Sequence, residues 1–274
     1  MEVVAGEDDT LATVRQHGVL FKLDFRKVYW NSRLEAEHKR LVDTWFQPGQ
    51  IVVDAMAGVG PFVVPAAKKG CFVLANDLNP DSYAWLVENI KVNKVGGRVK
   101  AMNVDGRECL RMACAGGGSD APLFTSPSVE EGENKQKKKK QKEEKKNGEE
   151  QQPLPPTCLV PFDHIVMNLP ATAVEFLDAL HGSFDPLLWK DHPLPMVHVY
   201  AFLKSSETVE DLKKRIETAW GGALATDTKP EFFLVRDVAP NKQMYCASLR
   251  VPRHIAFGSC GTDGVVIKKQ KVAD

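Results

Sequence analysis

The chain has 274 residues, 43% of them hydrophobic, with 36 basic side chains against 36 acidic ones. That length and apolar content suit one large domain or two small ones around a buried core. The balanced charge excludes a global basic field, so any nucleic-acid contact must come from a local patch or from a region this chain lacks.

The first residues, MEVVAGEDDT, are acidic and form neither a secretory signal nor an Arg-rich transit peptide. Residues 21–30, FKLDFRKVYW, suggest a strand or an extended lead-in. Ser32 with Glu35 three residues later reads as a capping box opening a helix over 33–46. On that helix Leu34, Leu41, Val42 and Trp45 form an apolar face, and Arg33, Glu37, Arg40 and Thr44 fall on another. Strands are expected at 51–56, 72–76, 99–104, 164–168, 197–203, 231–238 and 244–251. Further helices are expected at 62–68, 81–93, 173–181 and 209–220. Residues 113–157 read as a disordered insert, because their inner stretch EEGENKQKKKKQKEEKKNGEEQQ has almost no apolar side chains. Its run Lys137 to Lys140 reads as a nuclear-import signal, an RNA tether or a solvated linker.

Strand–helix alternation predicts an α/β fold: a mostly parallel seven-stranded sheet with helices on both faces. The last two strands are separated only by Ala239-Pro240-Asn241-Lys242-Gln243, which predicts a C-terminal antiparallel hairpin. The expected division is a lead-in at 1–30, a domain at 31–258 carrying the insert, and a flexible tail at 259–274. No apolar run approaches the roughly 20 residues of a membrane span. None of the six cysteines forms a C-x-x-C pair or sits at zinc-ligand spacing from two histidines, so no metal is expected. Cys71 and Cys246 lie in apolar runs as small core residues, in keeping with a reducing compartment.

Three motifs carry chemistry. In IVVDAMAGVGPFVVPAA, residues 51–67, a buried strand ends at Asp54 and the turn Ala57-Gly58-Val59-Gly60 leads into a helix near Pro61. Small residues there let the backbone approach a ligand closely. No Gly-Lys-Ser/Thr follows, so this is not a Walker loop. Val63 stands at the third glycine position, so the dinucleotide fingerprint is incomplete. The next strand ends at Asp77-Leu78, where an acid is placed to accept from both ribose hydroxyls of a nucleoside. The third ends at Asp105-Gly106, where an acid can accept from an exocyclic amine. Each acid alone also reads as a helix N-cap. Their succession at three strand ends points to an adenosine pocket.

The fourth strand ends in Met167-Asn168-Leu169-Pro170. Asn-Leu-Pro in this place resembles the signature of methyltransferases that act on base nitrogens, specifically the archaeal/eukaryotic-type tRNA guanine-37 N1 methyltransferases. The stretch Asp24, Lys27-Val28-Tyr29, Ser32, Arg33-Leu34 and Glu37 resembles that family's lead-in, and Val238-Ala239-Pro240-Asn241 its closing hairpin. The resemblance covers roughly 1–112 and 160–255. It implies a Rossmann-like class I methyltransferase fold and S-adenosylmethionine as cofactor. Its cofactor contacts would be His38, Asp54, Gly58, Gly60, Asp77, Leu78, Asp105, Gly106 and Asn168. Glu37 would be the general base that takes the N1 proton, Arg33 would hold O6 or position Glu37, and Asn168 would orient the base edge. Tyr29, Arg33 and Pro170 would meet the tRNA anticodon stem-loop. Without the resemblance, Arg33 and Glu37 read as a surface ion pair and Tyr29 and Trp30 as core aromatics.

The resemblance further implies a monomer in cytoplasm and nucleus, with the mitochondrial matrix for a form carrying an upstream targeting segment. Family members carry N-terminal domains that grip tRNA, and residues 1–30 read as a remnant of that region. Two alternatives stand beside this reading. One is a related S-adenosylmethionine-dependent RNA-modifying enzyme, either a wybutosine-type aminocarboxypropyl transferase or another base methyltransferase. The other is a truncated, non-catalytic cofactor-binding module. Gly60-Pro61-Phe62 in place of Gly-Tyr-Phe, together with Asn-Leu-Pro, favours methyl transfer.

Overall fold

The computed structural model describes residues 8–116, 161–224 and 229–258. It opens with a hairpin of β1 (Leu11–Gln16) and β2 (Val19–Asp24). His17 at φ 46 and Gly18 at φ 78 make its turn. Two successive left-handed residues give the tight turn that matches strand twist. The sequence reading expected only a single extended segment from Phe21; His-Gly between two alternating runs was the signal for the hairpin.

A short 3-10 turn, Ser32–Leu34, leads into α1 (Glu35–Trp45). The expected capping box at Ser32 does not form. The cap is Asn31, whose side chain accepts from the Arg33 N–H at 3.1 Å. A 3-10 first turn moves the capping position back by one residue, from Ser32 to Asn31.

There follow β3 (Ile51–Asp54), α2 (Val63–Lys69), β4 (Phe72–Asn76), α3 (Pro80–Val92), β5 (Val99–Met102), α4 (Gly106–Cys114) and β6 (His164–Met167). The expected helix at 173–181 is a 3-10 segment, Ala173–Leu180. Then come α5 (Pro186–Trp189), β7 (Met196–Lys204), α6 (Val209–Trp220), β8 (Glu231–Ala239), β9 (Lys242–Arg250) and α7 (Arg253–Ala256). Of the insert expected at 113–157, residues 113–116 close α4. The rest, like the tail at 259–274, lies outside the described residues.

Seven strands form one sheet in the order β5-β4-β3-β6-β7-β9-β8. The first five in that order are parallel, and β9 runs antiparallel to both β7 and β8. This is the class I methyltransferase architecture expected. Strand residues alternate between two cores. Val52, Val73, Ala75 and Val166 face α1, α2, α3 and the hairpin. Val53, Leu74, Ile165 and Val197 face α4, the 3-10 segment and α6. Among the described residues no helix is long and apolar enough to cross a membrane.

The hairpin is bolted to α3. Asn89, fully buried, accepts from Lys22 N–H at 2.8 Å and donates to Lys22 O and Val59 O, both at 3.0 Å. Asn93 repeats the pattern on Leu20 N–H and O at 3.1 and 2.7 Å. Asn89→Ala strands the Val59 carbonyl and the β2 backbone groups without partners. The expected loss is about 2–4 kcal/mol, from roughly 1–3 kcal/mol per unsatisfied buried group. Urea unfolding of parent and variant measures it.

Candidate active site

Parallel strands deliver their C-terminal ends to one edge of the sheet. Chain connections leave β3 toward β4 on one side and reach β6 on the other, so a crevice opens there. Asn76, fully buried at the end of β4, ties three of these ends together. Its amide donates to Ala55 O at 3.1 Å and Val104 O at 3.0 Å and accepts from Val104 N–H at 3.0 Å. Its own carbonyl accepts from Ala57 N–H at 2.7 Å. The sequence reading passed over Asn76, because a polar residue ending a strand looks like a loop residue until its partners are known.

The loop after β3 follows from its glycines. Gly58 has φ +54, and its N–H donates to Asp77 Oδ2 at 2.7 Å. Gly60 has φ +96, and a Cβ there would meet Leu86 Cδ1 at 2.9 Å. Gly60 does not border the crevice; it lets the loop close against α3. Asp77 Oδ1 accepts from Asn79 N–H at 2.9 Å. Burial pushes the Asp77 carboxyl up, against these bonds and one from Ser82.

A cavity of about 680 Å³ covers these strand ends. Of the residues expected to form the site, Tyr29, His38, Gly58, Asp77, Leu78, Asp105, Gly106, Asn168 and Pro170 border it. Asp105 also caps α4, accepting from Arg107 N–H at 2.8 Å, so both of its expected roles coexist. Gly106 allows Phe176 to close the wall, since a Cβ would lie 3.1 Å from that ring. Trp30, Ser82, Phe176, Phe202, Val238 and Met244 complete the lining. Phe202, Val238 and Met244 come from β7, β8 and β9, far along the chain, and no local pattern marked them.

Four polar atoms here are buried without a hydrogen-bond partner among the described residues: Asp54 Oδ2, His38 Nδ1, Asn168 Oδ1 and Trp30 Nε1. Asp54 lies behind the lining, its other oxygen accepting from Met56 N–H at 3.3 Å. Burial pushes its carboxyl up to about 8, with the Met56 bond opposing and the Asp77 charge adding. Burial pulls the His38 imidazole down to about 4, helped by His17, so the ring is neutral near pH 7. Its edge meets Phe62 at 4.8 Å between centroids.

Glu37 and Arg33 sit elsewhere. Neither borders the cavity, and they form no ion pair with each other. Arg33 is exposed. Glu37 is buried and pairs with Arg40, one turn further on, at 2.6 and 2.8 Å. The surface pair Arg33–Glu37 is thus replaced by a buried one, because α1 turns Glu37 inward with Leu41.

Comparison with known proteins gives one family. The model of the TRM5/TYW2 methyltransferase domain matches residues 12–116. The tRNA (guanine(37)-N(1))-methyltransferase of Schizosaccharomyces pombe is 45% identical over 262 residues, covering 94% of this chain and 57% of that protein. The chain thus spans a little over half the length of that relative. The crystal structure of Trm5b from Pyrococcus abyssi matches with a TM-score of 0.59 and 27% identity, covering 90% of this chain and 57% of that one. Methanocaldococcus jannaschii Trm5 in complex with adenosine matches with a TM-score of 0.59 at 22% identity, covering 91% and 57%. At that identity the likeness speaks for the fold alone.

The raised Asp54 pKa makes stability depend on pH. Unfolded, Asp54 ionises near 4; folded, it keeps its proton up to about 8. The folded chain therefore holds an extra proton between those values, and stability falls as pH rises through that window. Unfolded histidines and thiols also titrate near this window, so the difference in slope between the parent and Asp54→Asn isolates the Asp54 contribution. Urea midpoints should drop between about pH 7 and 8 in the parent and drop less in Asp54→Asn. Equal slopes in the two chains would remove Asp54 as the cause.

Proposed function

This chain belongs to the TRM5/TYW2 methyltransferase family, and we propose that it transfers the methyl group of S-adenosylmethionine to N1 of guanine 37 in tRNA. The observation that carries this is the cavity over the ends of β3 to β6, with Asp77, Asp105 and Asn168 on its wall. The 45% identity to a protein of that activity supports it.

The residues present fit the cofactor. Asp77 and Asp105 offer carboxylate oxygens to hydroxyl and amine donors, and the left-handed Gly58 lets a ligand approach the backbone. The unpartnered Asp54 Oδ2 and His38 Nδ1 are further acceptors or donors beside the same crevice. When bound, S-adenosylmethionine supplies an electrophilic methyl group. The chain must then expose the N1 lone pair of guanine, which carries a proton at rest. Asn168 Oδ1, buried and unpartnered beside Pro170, orients the base edge. The exposed Tyr29 and the half-buried Trp30 at the mouth offer faces on which a flipped base stacks. On this reading Glu37, which is buried and does not border the cavity in this structure, takes the N1 proton once tRNA binding brings base and carboxylate together, and the exposed Arg33 meets O6 or the RNA.

Two measurements test this. Calorimetric titration with S-adenosylmethionine should show binding that Asp77→Ala weakens by about one to three orders of magnitude, since it removes charge-assisted bonds and releases the Gly58 N–H. Single-turnover assays on tRNA transcripts should methylate G at position 37 and leave A at that position unmodified. Methyl transfer to the A transcript, or cofactor binding unchanged in Asp77→Ala, contradicts the proposal.

A further inference from the structure

We infer that Tyr200 and Arg40 are positioning residues for Glu37: they fix its carboxylate through three hydrogen bonds and leave one lone pair, on Oε2, to take a proton. The inference rests on the proposed role of Glu37 as acceptor of the guanine N1 proton.

Glu37 is 5% exposed. An ionised carboxylate at such depth is costly unless its lone pairs are met. Oε1 accepts from Tyr200 Oη–H at 2.7 Å and from Arg40 Nη2–H at 2.8 Å. Oε2 accepts from Arg40 Nε–H at 2.6 Å. Each carboxylate oxygen accepts about two such bonds. Oε1 is therefore full and Oε2 has one site open. In the proton step the N1–H bond breaks, an O–H bond forms on Oε2, and the N–H electron pair stays on nitrogen; that pair would form the bond to the methyl carbon as the carbon–sulfur bond of S-adenosylmethionine breaks, its pair leaving on the neutral thioether.

The clamp is built from the wall of the cavity. Tyr200 pairs across the sheet with Cys246, and Phe202, two residues on, pairs with Met244. Phe202 and Met244 border the cavity, so Tyr200 lies one pleat beneath them. The Tyr200 ring also packs on Phe62, another wall residue, at 5.8 Å between centroids. Arg40 is fixed from its other side by the Phe233 ring of β8, 3.9 Å from guanidinium carbon to centroid. Both donors are thus immobile relative to the pocket.

The titratable groups facing this carboxylate and its clamp are Arg40 from α1, Tyr200 and His198 from β7, and Cys246 from β9. Burial pushes the Tyr200 phenol well above its usual range, with Cys246 and Glu37 adding. Burial likewise pushes the Cys246 thiol up to about 12. Burial pulls His198 well down, and His164 and the Arg40 charge pull the same way. Burial pulls on the Arg40 guanidinium too, but Glu37 more than offsets it and raises it. Around neutral pH none of these four changes its proton.

Tyr200→Phe removes one donor and keeps the ring. The low-pH limb of the single-turnover rate should move to higher pH by about half a unit or more. Arg40→Lys, which keeps the charge and loses the fork, should move the limb less than Arg40→Gln does. A second readout needs no turnover. The 13C side-chain carboxyl resonance of Glu37, assigned by its absence in Glu37→Gln, should titrate at higher pH in Tyr200→Phe than in the parent. A limb and a resonance that both stay put in folded Tyr200→Phe and Arg40→Gln reduce the clamp to packing and overturn the inference. A Glu37→Gln rate within about threefold of the parent, with the resonance still shifted in Tyr200→Phe, instead overturns the role of Glu37 on which the inference stands.

Discussion

Asn76 holds the site in register. Its side chain and its carbonyl together bind the ends of β3 and β5 to the end of β4. Those ends carry the glycine loop, Asp77 and Asp105. Backbone groups past a strand terminus have lost their ladder partners, and in a buried crevice water does not replace them. One amide with two donors and one acceptor meets that need at three places. Ala57 is thereby fixed, Gly58 can turn left-handed, and its N–H finds Asp77. The geometry of the crevice thus follows from satisfying main-chain groups, with the ligand-facing carboxylates carried along.

Much of this was legible in the chain. Strand ends in the main sheet fall within two residues of the positions read from apolar runs, because burial on both faces makes those runs continuous. The three acids and Asn168 stand at successive strand ends as their spacing implied. What periodicity could not show was which way α1 faces. Glu37, spaced as a solvent-side residue, turns inward because Tyr200 and Arg40 supply partners, and Tyr200 lies 163 residues away along the chain. Phe202, Val238 and Met244 are equally remote and apolar, so nothing local separated cavity wall from core. Asp105 showed a further limit: a residue that caps a helix through Oδ1 also borders the cavity, so spacing alone could not choose between the two readings.

The fold treats its buried acids in opposite ways. Asp54 receives one long backbone bond and lies near the Asp77 charge, so its proton is retained. Glu37 receives a guanidinium fork and a phenol. A third polar group, His38, is left neutral by burial, with His17 adding. Within one crevice and its underside, the same loss of water yields a neutral acid, a paired anion and a neutral imidazole. Partners, and not depth, decide which.

The asparagines of α3 read the hairpin in a particular way. Asn89 and Asn93 bind the main chain of Lys22 and Leu20, while Val19, Phe21 and Leu23 supply the apolar anchor. The side chains of Leu20 and Lys22 take no part in those amide contacts. The amide grip on β2 is accordingly indifferent to what those two positions carry, although the Lys22 side chain adds a half-exposed ion pair to Glu88 of α3 at 3.1 Å. Sequence drift at alternate sites along the strand leaves the docking intact, so this edge of the molecule can change its outer chemistry without loosening its hold on the glycine loop.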